Sequence, residues 1–224
     1  MFRITAAVAF ATFALAAASQ SAGANPQPKS GFEPRIYADT NGGATSVPIG
    51  WHIFCQEHSV ECHAPTHGAQ RATLTEQSWK TLIEIDQLVN QNIAGISDED
   101  HYHIRAKGIA NWWTYPDDGM GNCNDYAILK KRLLIEAGWP SSALFLTVVL
   151  DHHNEGHLVL MARTDRGDLI LDNMEDKVLL WYQTGYTFLK RQSGDNPDTW
   201  LSFSDAVKNL DKVAALSSAT TQQP

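Results

Sequence analysis

The sequence predicts an α+β fold, with helices packed on an antiparallel β-sheet, in a chain of 224 residues. Three observations predict it. Apolar residues recur at helical spacing in two stretches, near 73–93 and again over 123–137. Three β-rich runs then follow, 143–150, 157–163 and 168–171. The last two are joined by Thr164-Asp165-Arg166-Gly167, a hairpin signal. Helices first and strands afterwards is the α+β order.

Residues 1–24 read as a signal peptide. Arg3 supplies the positive end, Ile4 to Ala18 is mostly Ala, Val, Phe and Leu, and Ala22-Gly23-Ala24 fits the small-residue cleavage rule. The apolar stretch is shorter than the roughly 20 residues a spanning helix needs, so export, to the periplasm or beyond, is expected rather than anchoring. No later segment is long and apolar enough to cross a bilayer. Residues 25–50 carry Pro26, Pro28, Pro34 and Pro48 with several glycines and read as an extended lead-in. A domain over 51–210 and a C-terminal tail over 211–224, whose last residues Ser217 to Pro224 read as disordered, complete the expected organisation.

The first strong helix is expected to begin near Thr73, with Thr73 and Glu76 as a capping box, and to end at Gly95. The loop over 97–120 brings Trp112 and Trp113 just ahead of Cys123, as core filler or as the wall of a peptide groove. The second helix runs from about Cys123 to Ala137 and is stopped by Gly138-Trp139-Pro140. The run 143–150 is nearly all apolar and suits a central strand. Residues 177–189 add an edge strand or a second hairpin around Gly185.

Charge narrows the partners. The chain carries 17 Lys and Arg against 25 Asp and Glu, net −8, and loss of Arg3 with the signal peptide leaves −9. Phosphate and anionic lipid are bound by clustered cations, so nucleic acid and membrane insertion are not expected. The short run Lys130-Lys131-Arg132 reads as a solvated helix face. Three cysteines are present. Cys55 and Cys62 suit a disulfide in an oxidising compartment, worth roughly 2–3 kcal/mol for so short a loop. Zinc is the competing reading, because His52, His58, His63 and His67 surround the pair, although their spacing matches no familiar template. Either outcome leaves Cys123 unpaired.

Cys123 stands at a helix start, His157 opens one strand of the expected hairpin and Asp172 closes the other. That order suits a thiol nucleophile, its base and an orienting carboxylate. A free thiol with its usual pKa near 8.5 needs activation. A helix N-terminus favours negative charge, the imidazole takes the proton and later returns it to the leaving group, and the carboxylate fixes the ring. The backbone N–H of Cys123 is a candidate oxyanion donor. His152 and His153, in a polar turn, are expected at the surface.

Four motifs carry a resemblance: Trp112-Trp113-Thr114-Tyr115-Pro116, Gly121-Asn122-Cys123-Asn124-Asp125-Tyr126-Ala127, Gly156-His157-Leu158-Val159-Leu160 and Leu169-Ile170-Leu171-Asp172-Asn173. Together they resemble the bacterial transglutaminase-like cysteine proteinases, over roughly Trp51 to Trp200. The resemblance implies a papain/transglutaminase-like core with Cys123 as nucleophile, His157 as base and Asp172 as orienting acid. It implies a periplasmic protein substrate, such as a surface adhesin whose release regulates biofilm attachment, and an inhibitory membrane receptor as a further partner. Adhesin-releasing members flank the nucleophile with acidic residues of a calcium site. Here the flanks are Asn122 and Asn124, and fewer carboxylates weaken the hold on a hard dication. The chemistry itself requires no cofactor; calcium stays a possible ligand, but dependence on it is doubtful here. The leading function is an exported cysteine endopeptidase working through a thioester. A transglutaminase or amidase using the same three residues, and a non-catalytic peptide-binding module with an inert Cys123, are the alternatives.

Overall fold

A computed structural model of the chain describes residues 36–62, 68, 70–103 and 112–203. The expected signal peptide, the tail over 211–224, His63 and His67 lie outside the described residues. The elements in chain order are β1 (Ala44–Thr45), α1 (Ile49–Glu57), α2 (Ser59–Cys62), α3 (Glu76–Asn92), β2 (Ala94–Gly95), α4 (Asp98–Tyr102), β3 (Met120–Gly121) and α5 (Cys123–Glu136). Then come β4 (Leu144–Leu150), β5 (Gly156–Thr164), β6 (Gly167–Leu171), β7 (Leu179–Leu180), β8 (Thr187–Gln192) and β9 (Trp200–Ser202). Seven strands form one antiparallel sheet in the order β1-β9-β8-β4-β5-β6-β7. This is the α+β architecture, helices on an antiparallel sheet, that the pattern predicts. None of the described helices is long and apolar enough to cross a membrane.

The continuous apolar run of β4 has a plain cause. Strand side chains alternate between faces. Leu144 and Leu146 pack with Trp51, Phe54, Leu82, Ile128 and Leu134 beneath the helices, while Phe145 and Val149 pack with Val159, Met161, Ile170 and Phe188 on the other face. Both faces are covered, so both sets are apolar.

Several elements differ from expectation. Residues 36–50 are not a loose lead-in: β1 pairs with β9, and the Ala38 N–H donates to Asp168 Oδ2 at 2.8 Å. Helix α3 starts later than expected, because the capping box belongs to Thr75 and Ser78. Thr75 Oγ1 accepts from the Ser78 N–H at 3.1 Å, and Ser78 Oγ accepts from the Thr75 N–H at 2.8 Å. The run 177–189 is not a hairpin. It supplies β7 at one edge, then crosses to place β8 beside β4 on the far side of the β5–β6 pair.

The basic run is not a solvated face either. Lys130 and Asp86 are both 1% exposed and their charges meet at 2.6 Å between α5 and α3. Burial pushes the Asp86 carboxyl up and the Lys130 ammonium down, each opposed by the partner's charge. Neither group has a well-directed hydrogen bond besides this contact. Breaking such a pair leaves one buried charge alone, which costs about 3–5 kcal/mol. Lys130→Met should therefore lower the urea-unfolding free energy by about that amount, and adding Asp86→Leu should recover most of it. A Lys130→Met protein as stable as wild type would contradict the role of this contact.

Candidate active site

Helix α5 begins at Cys123 because Asn122 and Asp125 cap it reciprocally. Asn122 Oδ1 accepts from the Asn124 N–H at 3.0 Å, and Asp125 Oδ2 accepts from the Asn122 N–H at 2.9 Å. Asp125 Oδ1 accepts from the Thr114 N–H at 3.0 Å, tying the preceding loop to the helix end. Gly121 is needed at this corner, since a Cβ there would lie 2.8 Å from the Asp125 side chain. Burial pushes the Asp125 carboxyl up to about 7, against the two backbone donors.

His157 follows a turn built on Asp151, whose Oδ1 accepts from the backbone N–H groups of His153 and Glu155, each at 2.8 Å. His152 and His153 stay exposed in that turn. Strands β5 and β6 pair with Leu160 opposite Leu171. Continuing that register sets Asp172 opposite Val159, two residues from His157 along the same face, a diagonal separation that side chains span. His157 Nε2 meets Asp172 Oδ1 at 2.7 Å, and both residues are buried. That leaves Nδ1 for a second neighbour; Cys123 lines the same cleft as His157, and its side chain is near enough to act on the ring's pKa, while its sulfur contacts Asn124 Oδ1 at 3.9 Å.

Asp172 is held from several sides. The Met174 N–H donates to Oδ1 at 3.0 Å and the Tyr186 hydroxyl to Oδ2 at 2.6 Å. Asn90 Nδ2 donates to the Asp172 backbone carbonyl at 2.8 Å. Burial alone would raise this carboxyl, but the bonds from His157, Tyr186 and Met174 outweigh it and hold it below its usual range. For His157 burial lowers the pKa, yet the hydrogen bonds and charges of Asp172 and Cys123 win and carry it to about 9.

A cleft of about 260 Å³ opens on Cys123 and His157, walled by Trp113, Asn124, Gly50 and Lys190. Trp113 is 6% exposed and packs against Trp51 and Trp200, so it is core and cleft wall at once. Trp112 is not among the cleft-lining residues; its backbone N–H is held by Asp98. A roomier apolar cavity of about 350 Å³ lies against α1, α5 and β4 and contains none of Cys123, His157 and Asp172. Size alone would misplace the chemistry. Cys55 and Cys62 are joined, S–S 2.08 Å, which removes both thiolates from any zinc site; Cys123 is the free cysteine.

A family model described as bacterial transglutaminase-like cysteine proteinase matches residues 41–208, about three quarters of the chain. The chain belongs to this family. It is therefore a cysteine peptidase. Among solved structures, the chain is similar to Legionella pneumophila LapG in its calcium-bound form, at 23% identity and TM-score 0.46, over 57% of this chain and 69% of that one. Another Legionella LapG structure is 26% identical with TM-score 0.46, over 62% and 76% of the two chains. The EGTA-treated form is 22% identical with TM-score 0.46, over 58% and 69%. No curated protein matches the chain.

The stretch around Cys123 offers calcium few free oxygens. A hard dication needs several free oxygens, mostly carboxylate. Both Asp125 oxygens are engaged by backbone N–H groups, Asn122 Oδ1 caps the helix, and Asp125 is fully buried. Among the described residues, the cluster with metal-ligand chemistry is Cys55, Cys62 and Asp198, and two of its members are the disulfide sulfurs.

The shifts of His157 and Asp172 set a pH window. His157 is raised, so its contribution is complete below 6.5 and lost as pH rises through about 9. Asp172 is lowered, so its contribution is complete above 3.8 and lost as pH falls further. An NMR titration of the His157 ring should show a midpoint near 9, and Asp172→Asn should move it down toward 6.5. A wild-type midpoint at 6.5 would mean that the carboxylate does not hold the imidazolium.

Proposed function

We propose that this peptidase is an exported endopeptidase that cleaves a periplasmic or cell-surface protein through Cys123, His157 and Asp172. The observation that carries the reading is one imidazole bonded to a buried carboxylate at 2.7 Å, with the free thiol at a helix start lining the same cleft. In the first step the Cys123 sulfur attacks the scissile carbonyl carbon and its proton resides on His157. The N–H of the first helical residue has no partner within the helix and faces the developing oxyanion. Collapse of the tetrahedral intermediate breaks the C–N bond as His157 protonates the leaving amine, giving a thioester. Water, deprotonated by His157, then attacks the thioester, releasing the new carboxylate and restoring the thiol. Asp172 keeps the ring in one tautomer and orientation throughout. Trp113 is the substrate-facing wall, with Trp112 supporting the loop behind it.

Residues 1–24 as a signal peptide, the domain over 51–210 and the Cys55–Cys62 disulfide fit export to an oxidising compartment. A surface adhesin as substrate, a role in biofilm attachment and an inhibitory membrane receptor belong to the same proposal. A transglutaminase or amidase would share every step up to the thioester and differ only in the acceptor.

Mass spectrometry of new N-termini in the cell envelope separates these outcomes. Cells with the wild-type protein should show fragments that vanish in Cys123→Ser, while the variant's stability stays within about 1 kcal/mol. EGTA should leave the fragments unchanged, because the stretch beside the nucleophile offers calcium few free oxygens. Fragments persisting in Cys123→Ser would end the nucleophile assignment. Crosslinked products without fragments would favour acyl transfer to an amine.

A further inference from the structure

We infer that Tyr186 is a positioning residue of the active site: its hydroxyl locks the far oxygen of Asp172 and so holds the His157 ring toward Cys123. The inference rests on the proposed use of Cys123, His157 and Asp172. Three hydrogen bonds and two ring contacts carry it. The Tyr186 hydroxyl donates to Asp172 Oδ2 at 2.6 Å, while Oδ1 is shared between His157 Nε2 and the Met174 N–H. The two carboxylate oxygens are thus divided between the ring to be oriented and a fixed phenol, and rotation of the carboxylate breaks both bonds. The Tyr186 ring also stands edge-on to the His157 ring, with centroids 5.8 Å apart and planes at 79°. Behind it the His152 ring packs at 5.0 Å.

The backbone explains why the tyrosine stays there. Gly185 has φ +70°, a conformation L side chains rarely adopt, and a Cβ on it would lie 2.9 Å from the His152 ring. Tyr186 N–H donates to Thr184 Oγ1 at 3.2 Å, and Thr184 Oγ1 donates to the Trp181 carbonyl at 2.9 Å. A cavity of about 170 Å³, lined by Tyr186, Asp172, His152, Glu175 and Lys177, lies on this side. It is distinct from the cleft that holds Cys123. Asp172 and Tyr186 both line this cavity, so without the phenol a mobile water takes its place on Oδ2. The titratable groups around Asp172 and Tyr186 are His157, His152, Asp151, Glu175, Lys177, Asp86 and Lys130.

The test is the pH profile of Cys123 alkylation by iodoacetamide in the full chain, read for wild type, Tyr186→Phe and the control Tyr182→Phe. Tyr186→Phe removes one oxygen and keeps the ring. Loss of its donor lets Asp172 take up a proton at higher pH and release the imidazole. The acid limb of the alkylation profile should therefore move up by about one pH unit, and the plateau rate should fall about tenfold, the effect of losing a bond to a charged group. Tyr182, 37% exposed on the neighbouring turn, should superimpose on wild type when changed to Phe. In wild type itself, proton NMR should show a slowly exchanging Tyr186 hydroxyl that disappears in Asp172→Asn, a result independent of how the Phe variant folds. A Tyr186→Phe profile that superimposes on wild type, or a rapidly exchanging hydroxyl, overturns the inference while leaving the nucleophile standing. Wild-type Cys123 alkylating no faster than in the denatured chain overturns the functional reading and this inference with it.

Discussion

A carboxylate kept charged inside the protein is the constraint from which the site follows. Asp172 is 3% exposed, a position where burial favours the neutral acid. Donors from His157, Tyr186 and Met174 converge on its two oxygens and reverse that preference. A charged Asp172 in turn keeps His157 protonated well beyond the usual histidine range. Removing the carboxylate's donors would undo the sequence from its first step.

Two scaffolds bring these groups together. The β5–β6 hairpin sets His157 and Asp172 on a diagonal of one face, with the Asp151 turn fixing the corner ahead of His157. Helix α5 delivers Cys123 from the helical layer, and its N-terminus is stitched to the preceding loop through Asp125. Farther along, Lys130 on α5 meets Asp86 on α3, and Asn90 of the same α3 grips the Asp172 backbone. Helix α3 therefore touches both scaffolds.

The places of Cys123, His157 and Asp172 in the fold were legible because each sits at the end of an element, where glycine, capping and hairpin signals mark a corner. The central strand was legible because burial on both faces demands an unbroken apolar run. Tyr186 was not, since its segment crosses from one side of the β5–β6 pair to the other, and no local pattern encodes that crossing. A glycine before it signalled only a turn. Lys130 was read as part of a solvated face because isolated helices carry such residues outward; its pairing with Asp86 depends on how α3 and α5 face each other. The capping box of α3 was misplaced by two residues because Thr73 and Thr75 offer competing caps and only the Ser78 contact decides between them. Trp112 and Trp113 are adjacent and chemically alike, and only the packing of Gly50, Trp51 and Trp200 brings Trp113 to the cleft.

The central claim is that one imidazole, charged by its carboxylate, activates one sulfur. Its most direct measurement is the rate of Cys123 alkylation by iodoacetamide at neutral pH in the folded wild type and in His157→Ala. The account predicts fast labelling in wild type that drops in the variant to the rate of the unfolded chain. Equal rates in the two folded proteins would show that the ring does not act on the sulfur.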